Sequence, residues 1–238
     1  MTNSFTRSNG FVKKAPKGIL FDLDGTLVDS APDLTNALNK TLISLNFEPV
    51  DLAEVKIWIG NGVDKLLHRA ITKSNNKLAN DSDFWRARNI FYVEYEKQSG
   101  RQSTLYSGVI ELFEALNNRK IEIACVTNKS RCFTLPLLRQ LEIEKYFSLV
   151  VCGDDLTNKK PHPEPLLYAV TKMALVVEQC LMVGDSSSDI SAANAANMEV
   201  ICVDYGYSQG VDLSVLNISG MISKLSELSD CIGQEQHR

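Results

Sequence analysis

The sequence predicts an α/β fold: a parallel sheet wrapped by helices and interrupted by one all-helical insertion. Three observations lead there. Five short β-rich runs recur along the 238 residues. Most carry apolar residues at both odd and even positions, the mark of strands covered on two faces. Helical patterns separate the later runs, and strand–helix alternation at that spacing builds parallel sheets. Finally, 96 residues lie between Asp24 and Ile121, far more than one crossover needs, and no β-rich run interrupts them.

Taken in order, residues 1–16 (MTNSFTRSNGFVKKAP) read as a flexible leader, since a secretory signal would need an apolar core of about 7–15 residues. The first β-rich run is Gly18–Asp24. Residues 30–104 read as the inserted helical subdomain. Leu34, Leu38, Leu42 and Leu45 fall on one helical stripe, and Trp58, Phe84, Trp85, Phe91, Tyr92 and Tyr95 supply apolar mass for a separate core. Its linkers fall near 28–32 and 100–106, which leaves 17–29 and 105–238 as the sheet-bearing core. There, Val109, Leu112, Phe113 and Leu116 make an i, i+3, i+4, i+7 stripe. The second and third runs, Ile121–Asn128 and Phe147–Asp154, follow. A helix is expected around Leu166, Leu167, Val170 and Met173. The run Leu181–Asp185 then leads into an Ala-rich helix from Ile190 to Met198, and Glu199–Tyr205 is the fifth run.

Composition excludes several classes of function. The formal net charge is −4, and the densest basic clusters are doublets such as Lys13–Lys14 and Lys159–Lys160. No nucleic acid partner is expected, because phosphate backbones demand a clustered basic face. No membrane partner is expected either, as no uncharged apolar run approaches the roughly 18 residues of a span. The six cysteines contain no CxxC pair, which argues against zinc or redox chemistry. Cys125, Cys152 and Cys202 sit in apolar runs and read as small buried side chains in a reducing, cytoplasmic setting. The N-x-S/T sequons at Asn39, Asn80, Asn128 and Asn217 are then chance matches. Monomer and homodimer remain equally open.

The chemistry concentrates at strand ends. In a parallel sheet all strand C-termini face one way, so residues that end different strands converge. The first run ends in Asp22-Leu23-Asp24-Gly25-Thr26, with Asp22 and Asp24 sharing a face at strand period two and Gly25 allowing a bend over a ligand. The second ends in Thr127-Asn128. The fourth ends in Gly184-Asp185-Ser186, with Asp189 one turn later, and a loop after the third carries Lys160. Taken singly, each has an ordinary explanation: a turn, a helix cap, a solvated lysine, a helix start. In this order, each at a strand end, coincidence is a poor account. Carboxylates brought together repel unless a cation joins them, and a hard divalent ion such as Mg2+ takes carboxylates plus substrate phosphate. Thr127 and Lys160 would hold phosphate oxygens, and an aspartate can attack phosphorus. The reading is metal-assisted phosphoryl transfer.

At these residues the chain resembles the haloacid dehalogenase superfamily of phosphohydrolases. FDLDGTLVDS (21–30), VTNK (126–129), KPHPEP (160–165) and VGDSSSDI (183–190) look like its four motifs in order. WIGNGVD (58–64), CGDDLTNKKPHPEPLL (152–167) and VDYGY (203–207) extend the similarity to its phosphoglycolate phosphatase branch, over roughly 17–226. The resemblance implies a Rossmann-like parallel-sheet core with an inserted all-helical cap domain. It implies Asp22 as nucleophile of an aspartyl-phosphate mechanism and Asp24 as general acid, then base. Mg2+ would be held by Asp22, the backbone carbonyl of Asp24 and Asp185. Phosphate would be bound by Thr127, Asn128, Lys160 and Gly25, with Asp189 behind them orienting Lys160 or a metal-bound water. Ser187 and Ser188 depart from the basic-plus-Asn pair expected before Asp189, and Met198 from a small pair.

The implied substrate is a small phosphorylated metabolite, 2-phosphoglycolate, converted to glycolate and phosphate. The cap would choose it through the turn Gly60-Asn61-Gly62, anchored by Trp58 and closing over the site, with Lys65 and Arg69 as candidates for a second anionic group. Alternatives within the superfamily are a broader sugar-phosphate or nucleotide phosphatase, a β-phosphoglucomutase, or a phosphonoacetaldehyde hydrolase using Lys56 or Lys65. Dehalogenases lack the second aspartate, so Asp24 argues for phosphate chemistry. A non-catalytic phosphate-sensing module is the alternative from another class.

Overall fold

A computed structural model describes residues 15–75, 81–208 and 210–232. The leader before Ala15 and the Asn80 sequon lie outside the described residues. In chain order the elements are β1 (Gly18–Phe21), β2 (Val28–Asp29), α1 (Ala31–Ser44), α2 (Leu52–Trp58), α3 (Val63–Asn75), α4 (Asp81–Gln98) and β3 (Thr104–Leu105). After these come α5 (Val109–Asn118), β4 (Glu122–Val126), α6 (Arg131–Gln140), β5 (Leu149–Val151), α7 (Glu164–Lys172), β6 (Cys180–Gly184), α8 (Ser187–Ala195), β7 (Glu199–Val203), β8 (Gly220–Ile222) and α9 (Leu228–Cys231).

Six strands form one parallel sheet in the order β5-β4-β1-β6-β7-β8. The chain leaves β1 toward β4 on one side and later returns to β6 on the other. The sequence direction of the sheet therefore reverses at β1, the position where α/β sheets open a crevice. Period two sorts β1 between the layers. Ile19 and Phe21 pack with Val109, Leu112, Phe113 and Leu116 of α5, while Leu20 packs with Leu166, Ala169 and Val170 of α7 and Ile190 and Ala193 of α8. Each Val, Leu, Ile or Phe side chain among these, withdrawn from water, contributes roughly 1.5–3 kcal/mol. Cys125, Cys152 and Cys202 are free and buried, as their apolar runs suggested. Among the described residues, no helix is long and apolar enough to cross a membrane.

Helices α1 to α4 bury a cluster of their own. Leu34, Leu38, Leu42 and Leu45 of the predicted stripe meet Leu67, Ile71, Phe84, Phe91 and Tyr95, and Phe133 and Tyr207 from the sheet-bearing part join them. Two aromatic expectations are corrected. Trp85 is 56% exposed and Trp58 only borders the cluster. Phe84, Phe91 and Tyr95 share one face of α4, whereas Trp85 lies about 100° around from Phe84. For the same reason Leu167, beside the fully buried Leu166, is 39% exposed on α7.

The linkers are structured. Val28 and Asp29 pair antiparallel with Leu105 and Thr104, so the insertion stands on a two-stranded stem. Asp33, fully buried at the start of α1, accepts from the backbone N–H of Gly100, Gln102 and Ser103 at 2.8, 2.9 and 3.0 Å and from the Ser103 hydroxyl at 2.6 Å. Strand β8, short and at the sheet edge, was not among the five expected runs.

Candidate active site

Register brings the site together. Phe21 pairs with Cys125 on one side and Val183 on the other. Asp22, Thr127 and Asp185 come one or two residues later and leave the sheet at one level. Each is at most about 5% exposed. The Asp22 N–H still donates to the Val183 carbonyl at 3.0 Å, which fixes where its side chain begins.

Asp22, Asp185 and Asp189 present carboxylate oxygens within 4.8 Å of one another. Into this cluster Lys160 brings a buried ammonium. Its Nζ donates to the Val126 carbonyl at 2.6 Å and to Asp189 Oδ1 at 2.7 Å, and it lies 2.9 Å from Asp22 Oδ1. The approach to Asp22 is close but poorly directed, and Asp22 Oδ1 has no hydrogen-bond donor among the described residues. Burial, opposed by the charge of Lys160 and reinforced by that of Asp189, pushes the Asp22 carboxyl up to about 7. Burial and the neighbouring carboxylates also raise Asp185. Burial alone would lower Lys160, but Asp189 and Asp22 outweigh it and hold the ammonium charged.

Local sequence explains why these groups can crowd. Gly25 has a φ of +92°, and a Cβ there would come within 2.1 Å of Asp185 Oδ2. Only glycine admits both the turn and the approach. Asp189 is the third residue of α8: its Oδ2 accepts from the Ser186 N–H at 3.1 Å and hydroxyl at 2.7 Å, a capping box that leaves Oδ1 for Lys160. Gly184-Asp185-Ser186 thus opens a helix and ends a strand at the site. Asp185 is itself held by the Thr26 hydroxyl at 2.8 Å and the Tyr207 N–H at 2.6 Å.

A buried, all-oxygen set of three carboxylates, opposed by the single Lys160 ammonium, fits a hard divalent cation. Asp24 does not join that cluster with its side chain. Its carboxyl turns to Lys129, at 3.0 and 3.1 Å, and to the Ser30 hydroxyl at 2.5 Å. Any share Asp24 has in holding a cation falls to its backbone. A cavity of about 40 Å3 lies beside these residues, lined by Asp22, Asp24, Thr127, Asn128 and Lys129 below and by Gly60, Gly62 and Leu66 among others above.

Comparison with known proteins agrees with this geometry. The family model of haloacid dehalogenase-like hydrolases matches residues 19–203. This chain belongs to that family. A phosphoglycolate phosphatase of Nitrosococcus oceani is 40% identical over 221 residues, covering 93% of this chain and 98% of the relative. One from Colwellia psychrerythraea is 42% identical over 198 residues, covering 82% and 88%. The crystal structure of a predicted phosphoglycolate phosphatase from Haemophilus somnus 129pt superposes with a TM-score of 0.88 at 33% identity, covering 93% of this chain and all of that one.

Within this haloacid dehalogenase-like frame, some expected residues need correction. Gly25 was expected to bind phosphate, but its N–H donates to the Val28 carbonyl at 2.9 Å, so its part is steric. Lys65 is exposed, Arg69 donates to the Trp58 carbonyl at 2.8 Å, and neither lines the cavity. Asn128 has a further contact: its side-chain amide donates to the carbonyls of Gly60 and Lys160, both at 2.9 Å, tying the Gly60–Gly62 turn to the core. Sequence reasoning gave no part to Lys129, Tyr95, Ser30 or Tyr207. For Lys129 a signal existed, a lone cation closing an apolar strand within VTNK.

Proposed function

We propose that this protein is a Mg2+-dependent phosphomonoester hydrolase of the cytoplasm that converts 2-phosphoglycolate to glycolate and phosphate. Residues 17–29 and 105–238 would form its catalytic core and 30–104 its cap. The observation that carries the reading is the convergence of Asp22, Asp185 and Asp189 around the buried Lys160 ammonium, with Asp24 held apart. Two relatives bearing the phosphoglycolate phosphatase name, at about 40% identity over more than nine-tenths of this chain, support the substrate. So does the cavity of about 40 Å3, room for a few water-sized groups at roughly 10–15 Å3 each.

In the first half-reaction an Asp22 carboxylate oxygen attacks phosphorus and the bond from phosphorus to the ester oxygen breaks. Asp24 gives its proton to that departing oxygen. In the second, Asp24 takes a proton from water as the water oxygen attacks the aspartyl-phosphate, which releases phosphate and restores the Asp22 carboxylate. Thr127 and the Asn128 N–H hold phosphoryl oxygens, and Lys160, oriented by Asp189, offsets charge on the nucleophile and the phosphate. Asp22, Asp185 and the Asp24 carbonyl would hold the Mg2+, which supplies further charge neutralisation when bound. The Gly60–Gly62 turn would receive the substrate's second anionic group: Gly60 and Gly62 line the cavity, and Asn61 between them, which does not line it, has a buried Nδ2 with no hydrogen-bond partner among the described residues.

The test is phosphate release from a panel of small phosphomonoesters with Mg2+, with EDTA as control. A preference for 2-phosphoglycolate of about a hundredfold in kcat/KM, ~2.7 kcal/mol, supports the full reading. Flat metal-dependent activity leaves a broad phosphatase, and no release at all leaves a phosphate-sensing module.

A further inference from the structure

Lys129 follows β4 with its side chain almost wholly buried. A buried ammonium persists only when it is paired and hydrogen-bonded. One N–H points between the two oxygens of Asp24, at 3.0 Å from Oδ1 and 3.1 Å from Oδ2. Another goes to the Tyr95 hydroxyl at 2.6 Å. These contacts fix the direction of the Asp24 carboxyl, which Ser30 grips from the other side.

Tyr95 comes from α4, in the helical insertion. It is fully buried, with its ring stacked on Phe91 and edge-on to Phe133 of α6 across the junction between insertion and core. A chain of contacts therefore runs from the insertion through Tyr95 and Lys129 to Asp24, ending on the residue read as acid and base. We propose that Lys129 is a positioning residue for Asp24, and that Tyr95 makes this positioning depend on the helical insertion being seated against the core. Lifting the insertion takes the Tyr95 oxygen from Lys129 and loosens Asp24, so proton transfer is competent only over a closed site. This rests on the proposed role of Asp24.

The experiment uses leaving-group chemistry. An alkyl phosphomonoester needs a proton on its departing oxygen, whereas p-nitrophenyl phosphate releases a stabilised phenolate and needs it far less. kcat/KM, which reports steps through leaving-group departure, is measured for both in wild-type, Tyr95→Phe, Lys129→Met and Lys129→Arg proteins, the alkyl ester being the one wild-type prefers. Tyr95→Phe keeps the ring packed and removes only the oxygen. It is expected to lose about tenfold on the alkyl ester and less than about twofold on the aryl ester. Lys129→Met is expected to lose on the order of a hundredfold on the alkyl ester, partly recovered in Lys129→Arg. Equal losses on both esters, or no loss in Tyr95→Phe, overturn the proposal. A wild-type protein that cleaves neither ester overturns the hydrolase reading along with it.

Discussion

Asp33 and Ser103 are 70 residues apart in sequence and joined twice: the Asp33 carboxylate accepts from both the backbone N–H and the hydroxyl of Ser103. With Gly100 and Gln102 donating to the same carboxylate, one buried side chain closes the stem on which the helical insertion stands. Asp33→Ala leaves three backbone N–H groups and a hydroxyl without that acceptor. We expect a loss of about 3 kcal/mol in urea unfolding. A loss below about 1 kcal/mol would mean that the β2–β3 pairing holds the stem unaided.

Asp22→Asn should abolish turnover without harming the fold. The carboxylate is costly where it stands, since burial and Asp189 both disfavour its charge. The amide relieves that cost, so at pH 8 the metal-free variant should melt no lower than wild-type while phosphate release is lost. Retained turnover would remove Asp22 from the mechanism.

The raised Asp22 carboxyl also sets a pH dependence. Near pH 5 the folded protein keeps a proton that the unfolded chain, with a carboxyl near 3.8, has mostly released. Rising pH between about 4 and 7 therefore costs the metal-free protein stability. Tm in EDTA should fall from pH 5 to pH 8. A cation binds the ionised carboxylates, so the Tm rise on adding Mg2+ should be larger at pH 8 than at pH 5. Equal Mg2+ shifts at both pH values would remove Asp22 from the cation site.

Asn61→Ala tests the turn over the cavity. If its unpartnered Nδ2 meets the substrate's second anionic group, KM for 2-phosphoglycolate should rise about tenfold, the worth of one hydrogen bond to a charged group. For p-nitrophenyl phosphate, which lacks that group, KM should stay unchanged. A parallel rise for both esters would assign the turn to closure in general.

Much of this was legible because strand ends are local features. Asp22, Thr127 and Asp185 close apolar runs, and once the runs pair in register their convergence follows. The helical insertion announced itself by length alone. The links between insertion and core were not legible. Tyr95 meets Lys129 through packing between α4 and α6, and no periodicity in either segment encodes that contact. The β2–β3 stem has two residues per strand, too short for any alternation to register. Gly25 misled because a glycine in a phosphate loop usually offers its N–H, whereas here Val28 takes it. Neighbouring apolar residues misled too, since Trp85 and Leu167 each stand one helical step from a buried partner.

The place of β1 in the sheet bears on how the molecule breathes. It has two strands on one side and three on the other, with helices over both faces. Local opening frays a sheet from its edges inward and reaches a central strand last. The amides of Leu20 and Phe21 should then exchange with solvent only when the whole domain unfolds, while the Gly60–Gly62 turn exchanges through small, frequent openings. On that expectation the Asp22 carboxyl stands on the slowest clock in the protein beneath a faster one, and the proposed site could admit and release ligands many times between events that disturb its floor.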